Sequence, residues 1–261
     1  VKFLRYLLPI TPLLILFGSI MLYRLWIGAK FYKRWARLGI RLMVSAVVLL
    51  TGFYAVSYMD LYGTSHSAVR TSEWLNDNAT PQAVILKEHW EEGIPGLEKY
   101  VIKELALYDR DTPTKIHLLS KQLATADYIV FYSNRLYGTI PRLSDRYPMT
   151  SSYYRGLFGG SLGYHLANVE TRYPGMGSLD ILDDTFRRPG LEVPNSLSQG
   201  RSPRISIGLG FADESFTVYD HPLGLVFSNV GRLSAEDIRE VINQGIQTHH
   251  SEVAKQTVKL M

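Results

Sequence analysis

Two uncharged apolar stretches near the start of the chain constrain it more than any other feature. Tyr6 to Tyr23 runs for 18 residues without a charge and is extended by Leu25, Trp26 and Ile27; Leu42 to Met59 is a second run of 18. A helix of roughly 20 apolar residues crosses about 30 Å of hydrocarbon, so each stretch is long enough to span a bilayer. Pro9 and Pro12 fall in the first turns of the first stretch, where a missing N–H costs least. A cleaved signal peptide is the competing reading of that stretch. The length of the run, the lack of a small-residue cleavage site after it and the second run close behind favour two membrane helices.

Charge is divided as sharply as hydropathy. Residues 1–59 hold eight Lys and Arg and no Asp or Glu, while all 24 acidic residues lie from Asp60 onward against 20 basic ones. The chain's formal charge of +4 therefore comes from its apolar end, and the remainder is net −4 (20 minus 24). That distribution points to a lipid bilayer as partner and away from nucleic acid. Arg24 to Arg41 carries six of the positive charges, interleaved with Trp26, Phe31, Tyr32 and Trp35. An excess of Lys and Arg marks cytoplasmic loops, so this hairpin is expected in the cytoplasm. Lys2 and Arg5 oppose that orientation, two charges against six. The expectation is a cell (inner) membrane protein with everything after Asp60 extracytoplasmic.

Residues 1–60 thus read as a two-helix transmembrane hairpin and residues 61–261 as one α/β domain, Rossmann-like in outline with a mixed sheet. Helices are expected over Ser65–Asn76, Glu98–Tyr108 and Thr150–Phe158. Thr112-Pro113 opens another that runs to Ala124, with Ile116, Leu119 and Leu123 on one face. Ser234 and Asp237 form a capping box before Ile238, Val241 and Ile242. Strands are expected at Ala83–Lys87, Asp127–Tyr132, Tyr164–Tyr173, Arg204–Leu209, Phe216–Tyr219 and Leu223–Phe227, the last two as a hairpin. Asp127–Tyr132 is dense in β-formers and reads as a central strand. Pro174 to Pro203, with eight Gly or Pro, reads mainly as loop.

The absence of cysteine excludes a disulfide scaffold, a thiolate-zinc site and a cysteine nucleophile. No Gly-x-Gly-x-x-Gly follows a strand, and no Walker loop or His-Glu-x-x-His occurs, so neither a cofactor nor a metal is expected. The candidate ligand-binding residues are Glu88, His89, Arg135, Asp220 and His221. Glu88-His89 follows a strand end, where α/β folds place ligands, and reads as an acid/base pair or as hydrogen bonding to nearby loops. Asp220-His221-Pro222 offers a base or a turn whose Asp accepts backbone N–H groups. Asp183-Asp184 is a divalent-cation pair or, with Arg187 and Arg188, a salt-bridged loop. His249-His250 lacks spaced partners for a metal. Arg135, Arg142, Arg146 and Arg155 among Tyr137, Tyr147, Tyr153 and Tyr154 read as a phosphate or sugar grip or as a solvated surface laced with cation–π contacts.

The string Ala126-Asp127-Tyr128-Ile129-Val130-Phe131-Tyr132-Ser133-Asn134-Arg135-Leu136-Tyr137-Gly138-Thr139-Ile140-Pro141-Arg142 resembles the C-terminal region of prokaryotic polytopic glycosyltransferases, the family 39, protein-mannosyltransferase-like members of the GT-C superfamily. Tyr147-Pro148-Met149-Thr150, Tyr153-Tyr154, Asp183-Asp184-Thr185-Phe186 and Glu214-Ser215-Phe216-Thr217-Val218-Tyr219-Asp220-His221-Pro222 are similar to strings of the same region, and Glu88-His89-Trp90 fits upstream. The resemblance spans roughly residues 65–240. It implies a membrane enzyme that transfers sugar from a polyprenyl-phosphate donor, with its catalytic acid in an early outer loop. This chain has no acidic residue before Asp60, so no catalytic residue carries over. Asp60 itself reads as an interfacial helix-end residue. Two functions follow as expectations. One is a non-catalytic, membrane-anchored accessory subunit of a larger membrane complex, respiratory or photosynthetic, held by other integral membrane subunits. The other is a component or fragment of an active glycosyltransferase that uses a polyprenyl-phosphate sugar.

Overall fold

In the computed structural model, which describes residues 4–91, 93–183, 186, 190–193, 205–210 and 214–260, both apolar stretches are helical. The first comprises a 3-10 segment, Leu4–Ile10, and helix α1, Thr11–Gly28; the second is helix α2, Arg34–Met59. Between them Arg37 turns back, its Nη2 donating to the carbonyls of Lys30 at 3.2 Å and Tyr32 at 3.3 Å. No residue of α1 is buried, and in α2 only Val44 and Ser57 are. Phe17 is 65% exposed and Leu49 70%, in helices with apolar side chains nearly all round. Water does not tolerate such a surface; each helix is long and apolar enough to cross a membrane.

Beyond α2 the chain is a mixed α/β structure. A 3-10 turn, Asp60–Gly63, leads through extended Thr64 to helix α3, Ser67–Asn78. The strands are β1 (Val84–Glu88), β2 (Val101–Leu105), β3 (Tyr128–Phe131), β4 (Tyr164–Glu170), β5 (Gly175–Met176), β6 (Leu179–Asp183), β7 (Ile205–Gly210) and β8 (Gly224–Asn229). The main sheet has the order β2-β1-β3-β8-β4, with β2, β1 and β3 parallel and β8 antiparallel to both of its neighbours. A smaller sheet, β5-β6-β7, pairs β5 with β6 antiparallel and β6 with β7 parallel. Its strand β5 lies against the end of α2 and the Asp60–Gly63 turn.

Alternation along β3 assigns its two faces. Ile129 and Phe131 point with Leu86, Leu225 and Phe227 into a core closed by α4 (Pro113–Thr125), α5 (Pro148–Phe158) and α6 (Ala235–Leu260). Val130 points the other way, joining Ile85 and Val226 under Leu75 and Ala79 at the end of α3. Helix α3 comes so close to the sheet that a Cβ at Gly224 would collide with the Thr71 hydroxyl. The central placement of β3 and the inward set Ile116, Leu119 and Leu123 match the sequence expectation. So do the caps: Thr112 accepts from the Lys115 N–H at 3.2 Å, and Ser234 Oγ from the Asp237 N–H at 3.1 Å.

Three expected elements differ. Glu98–Tyr108 is not a helix; its middle forms β2, because β-branched Val101 and Ile102 pair with Val84 and Ile85, while Lys103 and Glu104 supply the charges of an exposed edge. The apolar pairs Val101-Ile102 and Leu105-Ala106, separated by Lys103-Glu104, imitate a helical spacing. Phe216–Tyr219 is not a hairpin strand, since Glu214–Thr217 makes one helical turn that brings Phe216 to Tyr58, with ring centroids 6.1 Å apart. The segment read as loop after Pro174 contains β5 and β6. Asp184, Arg187 and Arg188 lie outside the described residues, as do the side chains of His249 and His250.

Candidate functional site

The C-terminal ends of parallel strands β1 and β3 leave backbone donors of the following loops in need of acceptors. Two carboxyl groups meet there. Glu88 closes β1, and Glu91 follows one turn later, its N–H donating to the Glu88 carbonyl at 3.1 Å. Glu91 Oε1 accepts the N–H groups of Tyr132, at 2.7 Å, and of Ser133 just beyond β3. From α5, Tyr154 donates its phenol proton to Glu88 Oε1. Arg135 approaches from the loop after β3 and donates to the Trp90 carbonyl at 2.8 Å.

Both carboxyls are buried, at 1% exposure for Glu88 and 7% for Glu91, and their electrostatics follow from that. Burial raises the Glu88 pKa well above the ordinary range, and the neighbouring Glu91 charge raises it further, against the Tyr154 hydrogen bond and Arg135. Burial pushes Glu91 up to about 7, against the lowering effect of the Tyr132 and Ser133 backbone donors. The phenols of Tyr137, Tyr153 and Tyr154 are likewise raised, first by burial and then by these acids. Two buried carboxyls, one raised by the charge of the other, cannot both ionise cheaply, which favours the protonated form of one of them. Glu88 Oε2, Asn134 Oδ1 and the hydroxyls of Tyr137 and Tyr153 are buried there without a hydrogen-bond partner. Among the described residues, no three His, Asp or Glu side chains are grouped to hold a metal ion.

Four of the five sequence candidates gather at this end of the sheet. Glu88 and Arg135 belong to the carboxyl cluster. Asp220 and His221 lie where the domain meets α2: Asp220 accepts from the phenols of Tyr58 and Tyr62, each at 2.6 Å. His221 is buried and stands edge-on to the rings of Tyr58 and Phe216, 5.9 Å from each. His221 also lines a cavity of about 20 Å³ with Asn134, Tyr137, Thr171, Tyr173 and Thr217. Tyr137 is common to both regions, bordering this cavity while feeling the charges of Glu88 and Glu91. His89 alone turns away. Its Nδ1 meets Glu104 Oε2 at 2.5 Å on the exposed side of β2, and with Lys87 it holds the Glu104 carboxyl below its usual range.

The surface reading of the Arg–Tyr segment is corrected in part. Tyr137, Tyr153 and Tyr154 are 0% exposed and form core around Phe131, whereas Arg142 and Arg146 are on the surface, Arg146 over the Tyr147 ring at 5.1 Å. Aromatic side chains there supply buried area, and of the three hydroxyls that of Tyr154 bonds an acid, Glu88. Sequence reasoning also missed Glu91; its only signal was the Glu-x-x-Glu spacing behind a strand end. Two larger hollows lie elsewhere. A cleft of about 460 Å³ runs between the end of α5 and β4, by Phe158, His165 and Glu192, and a groove of about 420 Å³ separates α1 from α2, by Phe17, Met21 and Arg24. Neither borders the carboxyl pair. Comparison with family models, curated proteins and solved structures returns no match.

Proposed function

We propose that the protein is a membrane-anchored, non-catalytic accessory subunit, its α/β domain held at the outer surface of the cell (inner) membrane by α1 and α2. The observation that carries this reading is the pairing of an apolar, outward-facing helix hairpin with a polar cluster too closed for a substrate. The hairpin buries almost nothing within the chain and so has two helix faces to offer to lipid and to other integral membrane subunits. The cavity beside that cluster, lined by Asn134, Tyr137 and His221, holds about 20 Å³, room for about one water and not for a sugar. Six cationic residues between Arg24 and Arg41 support a cytoplasmic hairpin loop and an extracytoplasmic domain. The parallel β2-β1-β3 core with α4 between β2 and β3 supports a Rossmann-like affinity for that domain.

A second reading, a component of an enzyme that uses a polyprenyl-phosphate sugar, has one observation in its favour. Of the strings that resemble GT-C glycosyltransferases, 214–222 meets the end of α2 through Asp220 and Phe216, and 126–142 lines a cavity with it through Asn134 and Tyr137. One experiment separates the two. A photo-crosslinking residue at Leu49 of α2, in native membranes, should give an adduct with one discrete membrane protein, and the purified chain should leave a polyprenyl-phosphate sugar untouched. Lipid adducts alone would overturn the accessory-subunit reading, and sugar transfer by the pure chain would establish the second.

A further inference from the structure

We propose that the small sheet is a second membrane contact, with the apolar row of β7 resting in the outer leaflet at the boundary between headgroups and acyl chains. This rests on the reading of α2 as a membrane helix and adds to it a lipid contact made by the domain itself.

The pattern of β7 is Ile205-Ser206-Ile207-Gly208-Leu209-Gly210, so period two puts Ile205, Ile207 and Leu209 on one face and only small residues on the other. A row of that kind ordinarily turns to a core. Here Ile205 is 68% exposed, Ile207 46% and Leu209 61%, and β7 is an edge strand. The register sets half-buried Leu179 beside Ile205 and Ile181, only 5% exposed, beside Ile207, so the exposed apolar row is that of β7 itself. Contiguous apolar surface on a folded domain marks a contact with a protein or a membrane.

Position decides for the membrane. Strand β5 packs on the end of α2 and on the Asp60–Gly63 turn. Arg172, just before β5, donates to Asp60 at 2.7 Å and to Thr64 at 2.6 Å, which fixes the sheet at the height where α2 ends. The helical turn that follows β7 in sequence, Glu214–Thr217, lies against Leu4–Ile10 at the outer end of the first apolar stretch. The sheet is therefore tied to the outer end of α2, and the helical turn after it to the outer end of the first apolar stretch. Tyr62 and Tyr219 are each more than half exposed in the same zone, the residue type of an interfacial belt, and apolar Met176 of β5 is 50% exposed. The described residues of β7 carry no charge, so the ligand is the apolar boundary of a phospholipid leaflet, entered by roughly 5–10 Å.

The chain has no cysteine, so single nitroxide labels can be placed without removing any residue. Ile207→Cys and Met176→Cys would be labelled in the full chain reconstituted in phosphatidylcholine vesicles, with Leu49→Cys in α2 and Lys103→Cys on exposed β2 as references. Power-saturation spectroscopy then compares collision with oxygen, which concentrates in lipid, and with a water-soluble nickel complex. The Ile207 and Met176 labels should favour oxygen several-fold more than Lys103 does, and less than Leu49. Labels at Ile207 and Met176 as water-exposed as Lys103, with Leu49 in lipid, would overturn the proposal and leave the membrane helix standing. A water-exposed Leu49 would overturn both. Immobile labels shielded from both reagents would mean a protein cover and also overturn it.

Discussion

Asp60 and Arg172 stand 112 positions apart in sequence and meet at 2.7 Å where the second apolar helix ends. Asp60 is the first acidic residue of the chain, and this contact accounts for it: its carboxylate is a partner for the domain. Arg172 adds a bond to Thr64, and Asp220 collects the phenols of Tyr58 and Tyr62 beside it. The junction is thus held by residues from three separate stretches of sequence, 58–64, 172 and 220.

The pair is partly solvated, with side chains 43% exposed for Asp60 and 27% for Arg172, so its contribution is modest. A double-mutant cycle of Asp60→Asn and Arg172→Gln, read by thermal unfolding in detergent, should give a coupling of about 0.5–1 kcal/mol. A null coupling would mean that the two charges do not interact in solution.

The carboxyl pair makes stability depend on pH in the direction opposite to most acids. Glu91 has its folded pKa raised to about 7, above the value near 4.3 expected when unfolded. The folded state therefore holds more protons than the unfolded chain between those values, and stability falls as pH rises through them. Glu88, raised by the same burial, extends the fall to higher pH. Glu91→Gln keeps an oxygen for the Tyr132 and Ser133 N–H groups and removes the ionisation. Melting curves from pH 5 to 8 should show a falling Tm in the parent and a flatter profile in the variant, with the variant the more stable at pH 8.

Val130 is 1% exposed at the centre of the main sheet, between parallel β1 and antiparallel β8. Val130→Asp would bury a charge with no partner and should cost more than about 3 kcal/mol, enough to lower expression of folded protein sharply. Val130→Ala should cost about 1–3 kcal/mol by leaving a cavity, and chemical denaturation distinguishes the two.

Lys115 ties together the start of α4, the start of α5 and the loop after β2. Its ammonium group donates to Asp111 Oδ1 at 2.9 Å, to Thr150 Oγ1 at 2.7 Å and to the carbonyls of Leu107 and Asp109. The Lys115 and Asp111 side chains are 11% and 6% exposed, so removing one partner leaves the other charge in a poor environment. Lys115→Met should destabilise by about 3–5 kcal/mol in denaturant titration, whereas Lys121→Met, on the exposed side of α4, should change little.

What the sequence made legible was whatever rests on local pattern. The apolar runs, the Thr112-Pro113 and Ser234-Asp237 caps, and the strand around Val130 are each encoded within a few residues. Val101–Leu105 was not legible, because its strand character comes from pairing with β1, and its apolar spacing mimics that of a helix. Glu214–Thr217 failed for a related reason: Phe216 turns to meet Tyr58, and nothing local reports that. At the site, Glu88 and Arg135 were visible as a strand-end acid and a loop cation. Glu91 and the buried tyrosines were not, since only the fold shows that Tyr137, Tyr153 and Tyr154 face inward. Their aromatic, arginine-rich neighbourhood reads equally as surface.

Only Thr64 to His66 separate the turn that ends α2 from α3, and His66 is itself engaged, capping α3 and reaching the Tyr219 carbonyl at 3.2 Å. For a membrane-anchored domain this means a leash of almost no length. A flexible linker lets a domain sweep a wide volume and hold a high effective concentration near distant targets. A globule of about 200 residues has a radius of gyration of only about 16 Å, so a domain anchored in this way would touch nothing far from the bilayer surface. On the proposed reading, whatever it serves would have to come to the membrane, in an orientation that the two helices have already set.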